Sequence, residues 1–446
     1  MDHLFTEDKM INNPLECWLN LRMGRRLDSG GVSPEELREW QFELLRKTIK
    51  HAATSSQFYS KHLSNIVPDE IRTPADLSAL PFTMPSDLRN SPNSFLCVSQ
   101  DEIARAITIS SSGSSGDPKR LFFTTGDLER TIEFFHYGMG PLVGKGETVL
   151  ALLPDSRPGG VGNLFSESIS RLGAKTVYPE DPSDIPALLN LLLNSRATCI
   201  LGPAIHIHAL SRLWKSKRLP KNQVRSALLC WDVLPSVTIQ TISNTFGCEI
   251  FSHWGMTETC LGGAVECFQD SGMHLREPDF YVEIVDPATG QPVPDGTSGE
   301  ILFTTLSRRA MPLIRYKTGD IGQIVSGPCS CGLSMRRLTG VTGRLNGDIR
   351  LPTSEQLSLS ELNEIILQFV GVLDFKVSFQ QHPPSLNIAL DISPEAKIPS
   401  DLSKSIISYP KLNRAIVEND LKINIEIDNH NGCISSGFGK RLITSA

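Results

Sequence analysis

The stretch Ala106-Ile-Thr-Ile-Ser-Ser-Ser-Gly-Ser-Ser-Gly-Asp-Pro-Lys119 decides how the rest of the chain is read. Its first four residues predict a short β-strand. Ser111, Ser112, Gly113, Ser114, Ser115 and Gly116 follow without a break, and Asp117-Pro118-Lys119 closes the segment. Glycines allow a tight turn that brings backbone N–H groups close to an anion. Small hydroxyls add donors without bulk, and Lys119 adds a positive charge suited to phosphate. A generic Ser/Gly stretch is a flexible linker. The position directly behind a strand and the Pro-Lys ending argue for a phosphate-binding loop instead. It is not a Walker loop, because no Gly-Lys-Ser/Thr stands at the required spacing.

Outward from this segment, the pattern alternates between strand and helix. A helix is expected from Thr124, a buried strand at Val149–Leu153, a helix at Glu167–Leu172 and a strand at Thr176–Tyr178. Ile185–Asn194, Thr198–Leu201 and Ala227–Leu229 continue the series. Such alternation predicts parallel α/β layers. Phe280–Val285, Gly299–Thr305 and Asp320–Val325 are strands among Gly/Pro turns and suggest a β-rich subdomain. N-terminal to the loop, Glu35–Leu63 has helical apolar spacing behind a Ser33-Pro34 start. After Arg344 the pattern restarts, with helices at Glu361–Phe369 and Leu402–Ile407 and strands at Lys376–Phe379, Leu386–Ile392 and Leu421–Ile427. The fold class expected is α/β: a large N-terminal domain over residues 1–342 and a small mobile α+β domain over 343–446.

Composition bounds the function. The chain has 446 residues, 40% hydrophobic and 21% charged, with a net charge of -6. That balance argues against a nucleic-acid partner. No run approaches the ~18 apolar residues of a membrane span. Met1–Arg26 is polar, carries acids early and does not read as a signal peptide. Ten irregularly spaced Cys point to a reducing cytoplasm.

Three further motifs follow the loop: Trp254-Gly255-Met256-Thr257-Glu258, Tyr316-Lys317-Thr318-Gly319-Asp320 and Gly343-Arg344. In this order the four resemble the motifs of the adenylate-forming superfamily, which comprises acyl-CoA synthetases, adenylation domains and luciferases. The resemblance covers nearly the whole chain and weakens beyond Arg344. The branch most resembled is phenylacetate–CoA ligase, through Glu266-Cys267 with Gly272-x-His274, Asp286-Pro-x-Thr-Gly290, Thr304-Thr-Leu306, Met311-Pro-Leu-Ile-Arg-Tyr316 and Pro328-Cys-x-Cys-Gly332.

The resemblance implies ATP-dependent activation of a carboxylic acid, with an aromatic acid favoured. The product is an acyl-adenylate, and acyl transfer to a thiol follows. CoA is the first expectation for the acceptor; a carrier protein or another nucleophile is the alternative. A non-catalytic nucleotide-binding regulator is the rival from another class. By the same resemblance, Ser111 to Lys119 bind phosphate, Thr257 contacts phosphate and Glu258 holds Mg²⁺ as an oxygen ligand. Trp254-Gly255 pack near adenine, Asp320 accepts from the ribose hydroxyls, and Arg344 binds ribose or phosphate. Lys440, in Gly439-Lys440, takes the place of the C-terminal catalytic lysine. A homodimer stays open.

Cys329-Ser-Cys331 is a thiolate pair, and Cys267 with His274 lies about sixty residues upstream. Three Cys and one His make the closed tetrahedral set of a structural Zn²⁺. The chain departs from the family at Cys230-Trp231-Asp232, where small residues are usual, and at Asn346, where the hinge carries Asp. The Gly of the CoA-side loop is missing too, which sets the thioester step on weaker footing than adenylation. His206, His208, Trp231, His253 and Cys260 are candidates for the acid pocket.

Overall fold

The computed structural model describes residues 13–26, 29–109, 118–154, 157–231, 233–268, 270–345, 347–393, 400–428, 432–436 and 441–445. Its centre is a sheet that has eight strands among the described residues, ordered Arg337–Leu338, Met273–Leu275, Ala264–Glu266, Glu249–Trp254, Ser226–Cys230, Cys199–Pro203, Thr148–Ala151, Lys175–Val177. The last five run parallel, as the alternating pattern predicts, and the first three antiparallel.

Side-chain alternation along these strands feeds two cores. Leu150, Ile200, Ala227, Leu229 and Ile250 pack with the helices Ile185–Ser195, Ala204–Ser216 and Ser236–Phe246. Val149, Leu201, Leu228 and Phe251 pack on the other face with the helices Thr125–Met139 and Val161–Arg171. A parallel sheet covered on both faces has to be apolar on both, and Cys199–Pro203 and Ser226–Cys230 are buried throughout.

A second sheet pairs Phe280–Val285, Gly299–Thr305, Tyr316–Gly322 and Gly343–Arg344. The first two strands match the sequence expectation. The third is displaced from Asp320–Val325, because the Tyr-Lys-Thr-Gly-Asp motif is itself strand. The long helix expected over Glu35–Leu63 is two, Pro34–Ser55 and Gln57–His62. Ser56 breaks it by taking an extended conformation, accepting from the Tyr59 N–H and donating to the Ser94 carbonyl.

Residues beyond Arg344 build a four-stranded sheet ordered Lys422–Asp428, Ser385–Ile392, Val372–Gln380, Ile443–Ser445. Its apolar side chains, among them Leu373, Phe375 and Ile388, belong to the same buried cluster as Ile205, Leu210 and Trp214 of helix Ala204–Ser216. Arg212 of that helix also donates to the Leu367 carbonyl at 2.6 Å.

Candidate active site

Strands Arg105–Ile109 and Lys119–Phe123 form an antiparallel hairpin whose end pair is Ile109 and Lys119. Ser111, Ser112, Gly113, Ser114, Ser115 and Gly116 lie outside the described residues, as does Lys440. Lys119 is described, and its ammonium contacts the Glu258 carboxylate directly. Glu258 is in a short 3-10 turn, Thr257–Thr259, immediately behind strand Glu249–Trp254. The Tyr316 hydroxyl donates to the same Glu258 oxygen at 3.0 Å. Burial alone pushes the Glu258 carboxyl up, but the Lys119 charge and hydrogen bond hold it below its ordinary value. Burial first, and then the Glu258 charge, drive the Tyr316 phenol the other way, well above its usual value. The cluster therefore holds a carboxylate, an ammonium and a neutral phenol. Tyr316 lies inside a motif read from the sequence for Asp320, and its own role was missed.

Four residues along that strand, Asp320 is fully buried. Its Oδ2 accepts from Trp254 Nε1 at 3.1 Å and its Oδ1 from Arg344 Nε at 2.8 Å. Three residues named from three separate motifs thus meet at one carboxylate. Gly255 is required sterically: a Cβ there would stand 2.2 Å from the Leu261 carbonyl oxygen.

Trp254, Gly255, Asp320 and Arg344 line a cavity of about 460 Å³, within the usual size of small-molecule sites. Trp231 and His253 line it too, as do Asn363 and Arg441 from the C-terminal residues. The other proposed pocket residues are elsewhere. His206 and His208 are buried on helix Ala204–Ser216 against the C-terminal sheet. Cys260 is buried, with its thiol 3.8 Å from the Asp127 carbonyl.

The four expected zinc ligands converge. The ligand atoms of Cys267, His274, Cys329 and Cys331 all lie within 4.8 Å of one another. Cys267 and Cys329 sulfurs are 3.7 Å apart, and Cys331 Sγ is 3.3 Å from His274 Nε2. A tetrahedral Zn²⁺ with its usual bond lengths has S···S edges of about 3.8 Å and S···N edges of about 3.6 Å, so the donors fit. His274 Nδ1 is 3.0 Å from the Met335 carbonyl, which turns Nε2 toward the thiols. The strand pairings of Ala264–Glu266 with Met273–Leu275, and of that strand with Arg337–Leu338, bring these distant loops together.

The AMP-binding enzyme family matches residues 53–307. Phenylacetate–coenzyme A ligase of Aromatoleum evansii is 27% identical over 379 residues, covering 82% of this chain and 84% of the relative. The Pseudomonas putida enzyme of the same name is 29% identical over 364 residues, covering 77% and 81%. The crystal structure of 2-hydroxyisobutyryl-CoA ligase with its acyl-adenylate superposes with a TM-score of 0.77 at 18% identity, over 93% of this chain and 91% of that one. That likeness shows the shared fold. With residues of three of the motifs lining one cavity, the chain belongs to the AMP-binding enzyme family, in the phenylacetate–CoA ligase-like branch of the adenylate-forming superfamily.

Proposed function

We propose that this chain activates a carboxylic acid with ATP and passes the acyl group to the thiol of CoA. A carboxylate oxygen attacks the α-phosphorus, the bond from that phosphorus to the bridging oxygen breaks, and pyrophosphate leaves. The CoA sulfur then attacks the acyl carbon and AMP leaves. The observation that carries this reading is the convergence of Trp254 and Arg344 on Asp320, with Lys119 paired to Glu258 in the turn that follows Trp254. CoA as acceptor is supported by the ligases that the chain resembles over most of its length.

Charge builds on phosphate oxygens in the first step, so positioning and electrostatics do most of the work. Lys119 and Glu258 neutralise each other in this structure. The pair can divide, with the ammonium taking phosphate and the carboxylate taking the cation that accompanies ATP. One carboxylate together with substrate phosphates suits Mg²⁺, and such an ion would supply charge neutralisation at the phosphates. Thr257, beside Glu258, is assigned to phosphate, as are Ser111 to Gly116. Asp320 is assigned to the ribose hydroxyls, Trp254 and Gly255 to adenine and Arg344 to ribose or phosphate. Lys440 is assigned to the α-phosphate, on a small domain over residues 343–446 that acts as a lid on residues 1–342. Cys267, His274, Cys329 and Cys331 would hold a structural Zn²⁺, which closes all four positions and leaves none for water. No helix of the described residues is long and apolar enough to cross a membrane; the reduced thiols favour the cytoplasm.

Carboxylate-dependent exchange of pyrophosphate into ATP tests the first step. Lys119→Ala and Glu258→Gln are each expected to lower the exchange rate by about 10²–10³-fold. Retention of full exchange in both variants removes this assignment. Thioester formation on adding CoA tests the second step.

A further inference from the structure

We infer that His253 reads a second polar group on the acid, so that the substrate class is a small carboxylic acid bearing a neutral hydroxyl or amino group. This deepens the adenylation reading above and rests on it.

His253 precedes Trp254 on strand Glu249–Trp254. Successive residues of a strand face opposite ways. Trp254 turns its indole to Asp320, the end assigned to the nucleotide. His253 therefore faces the other way, on the side of Phe251, whose core includes Phe134 and Phe165 of helices Thr125–Met139 and Val161–Arg171. It still lines the cavity, beside Trp231 and Gly255. A Cβ on Gly255 would come 2.9 Å from His253 Cε1, so the glycine leaves room for the ring.

The ring makes no hydrogen bond among the described residues, and its Nε2 is shut off from solvent without a partner. An unpaired buried polar atom is costly to leave without a partner, and a half-turn about Cβ–Cγ can bring either nitrogen to the cavity. Burial pushes the imidazole down to about 4, so at neutral pH it is uncharged. A neutral imidazole offers one N–H donor and one lone-pair acceptor. Its complement is a neutral group that donates or accepts, such as a hydroxyl or an amine on an aromatic or short branched acid. Only one carboxylate oxygen bonds to phosphorus; the other, the carbonyl oxygen of the adenylate, is common to every acid, so a preference within a pair of matched acids must come from a second polar group.

The test uses the full-length enzyme and matched acids with and without the polar group: phenylacetate and 4-hydroxyphenylacetate, benzoate and 3-hydroxybenzoate, benzoate and 2-aminobenzoate, isobutyrate and 2-hydroxyisobutyrate. The readout is the ratio of kcat/KM for pyrophosphate release within each pair. In at least one pair the polar acid is expected to lead by about tenfold or more. His253→Phe should bring that ratio within about threefold of unity, and His253→Asn, which keeps a donor and an acceptor, should restore part of it. Equal ratios in the wild type, or a ratio unchanged in His253→Phe, overturn the inference. A change in preference between ATP and ITP, with the acid ratios intact, overturns it too and moves His253 to the base. Pyrophosphate release with no acid at all is a different failure, that of the adenylation reading.

Discussion

Glu364, in helix Leu359–Ile366 of the C-terminal residues, caps the first turn of helix Ser236–Phe246 by accepting from the Ser236 N–H at 2.5 Å and the Val237 N–H at 3.2 Å. Pro235, at the N-cap position of that helix, supplies no side-chain acceptor. An acid from a distant segment does what a local Ser or Asp does elsewhere, and it also complements the helix dipole. Glu364→Ala should cost the first turn about 1 kcal/mol. Amide hydrogen exchange at residues 237–239 should then speed up by about fivefold. Unchanged exchange there would mean that this contact contributes nothing to holding the two parts together.

The Cys267, His274, Cys329 and Cys331 cluster predicts one zinc per chain in protein purified without chelator, read by elemental analysis. Cys329→Ser should lose the metal and more than about 4 kcal/mol of stability, because binding of the ion to the folded site is itself folding free energy. A metal-free wild type with the same melting temperature as Cys329→Ser would sink the site.

Asp279 is a buried acid that accepts from Arg22 and Arg276, both at 2.7 Å, and from the Ser307 hydroxyl at 2.8 Å. Burial alone would raise its pKa, but Arg276, Arg22 and Arg130 outweigh this and pull it down from 3.8 to about 2. The folded value lies below the unfolded one. The stabilisation is therefore fully present above pH ~4 and fades as pH falls through about 2, with a size on the order of 2 kcal/mol. Asp279→Asn should lose this acid-dependent component. It should also destabilise the protein at neutral pH by about 3–5 kcal/mol, since Arg276 is left buried without its counter-charge. Urea unfolding at pH 7 and pH 3 measures both.

Trp254→Phe keeps an aromatic face and removes the N–H that Asp320 accepts. A hydrogen bond to a charged group is worth about 1.5–3 kcal/mol. The KM for ATP should rise by about tenfold or more, with a smaller change in kcat. An unaltered KM would separate the indole from nucleotide binding.

Much of this was legible in the residues. Phe280–Val285, Gly299–Thr305 and Leu402–Ile407 stand where the pattern puts them: the two strands are runs rich in β-branched and aromatic residues between Gly/Pro turns, and the helix buries Leu402 and Ile406 one turn apart. The helix Ala204–Ser216 was missed because it is buried along most of its length and its start, Ile205-His206-Ile207-His208, alternates with a period of two that reads locally as strand. Ser236–Phe246 is rich in β-branched residues and reads locally as strand. It is helical because its apolar side chains pack against the neighbouring core and Gly247, at φ 70°, ends it cleanly. The strand Tyr316–Gly322 was misplaced because its register shifts opposite Glu300 to Leu302 and Gly319 has φ 73°, a bulge that hides the two-residue period. At the site, the charged groups were named from the motifs. Their pairing was not, since only the fold shows that Lys119, Glu258 and Tyr316 share one oxygen.

The apolar seam between helix Ala204–Ser216 and the C-terminal sheet would set the pace of the lid motion proposed above. Any swing of residues 349–443 away from that helix must first wet side chains such as Ile205, Phe375 and Ile388, at about 25 cal/mol per Å². Every 1.4 kcal/mol added to that opening slows it tenfold. Trimming the seam would ease that opening and, in the same stroke, lower the temperature at which the protein melts.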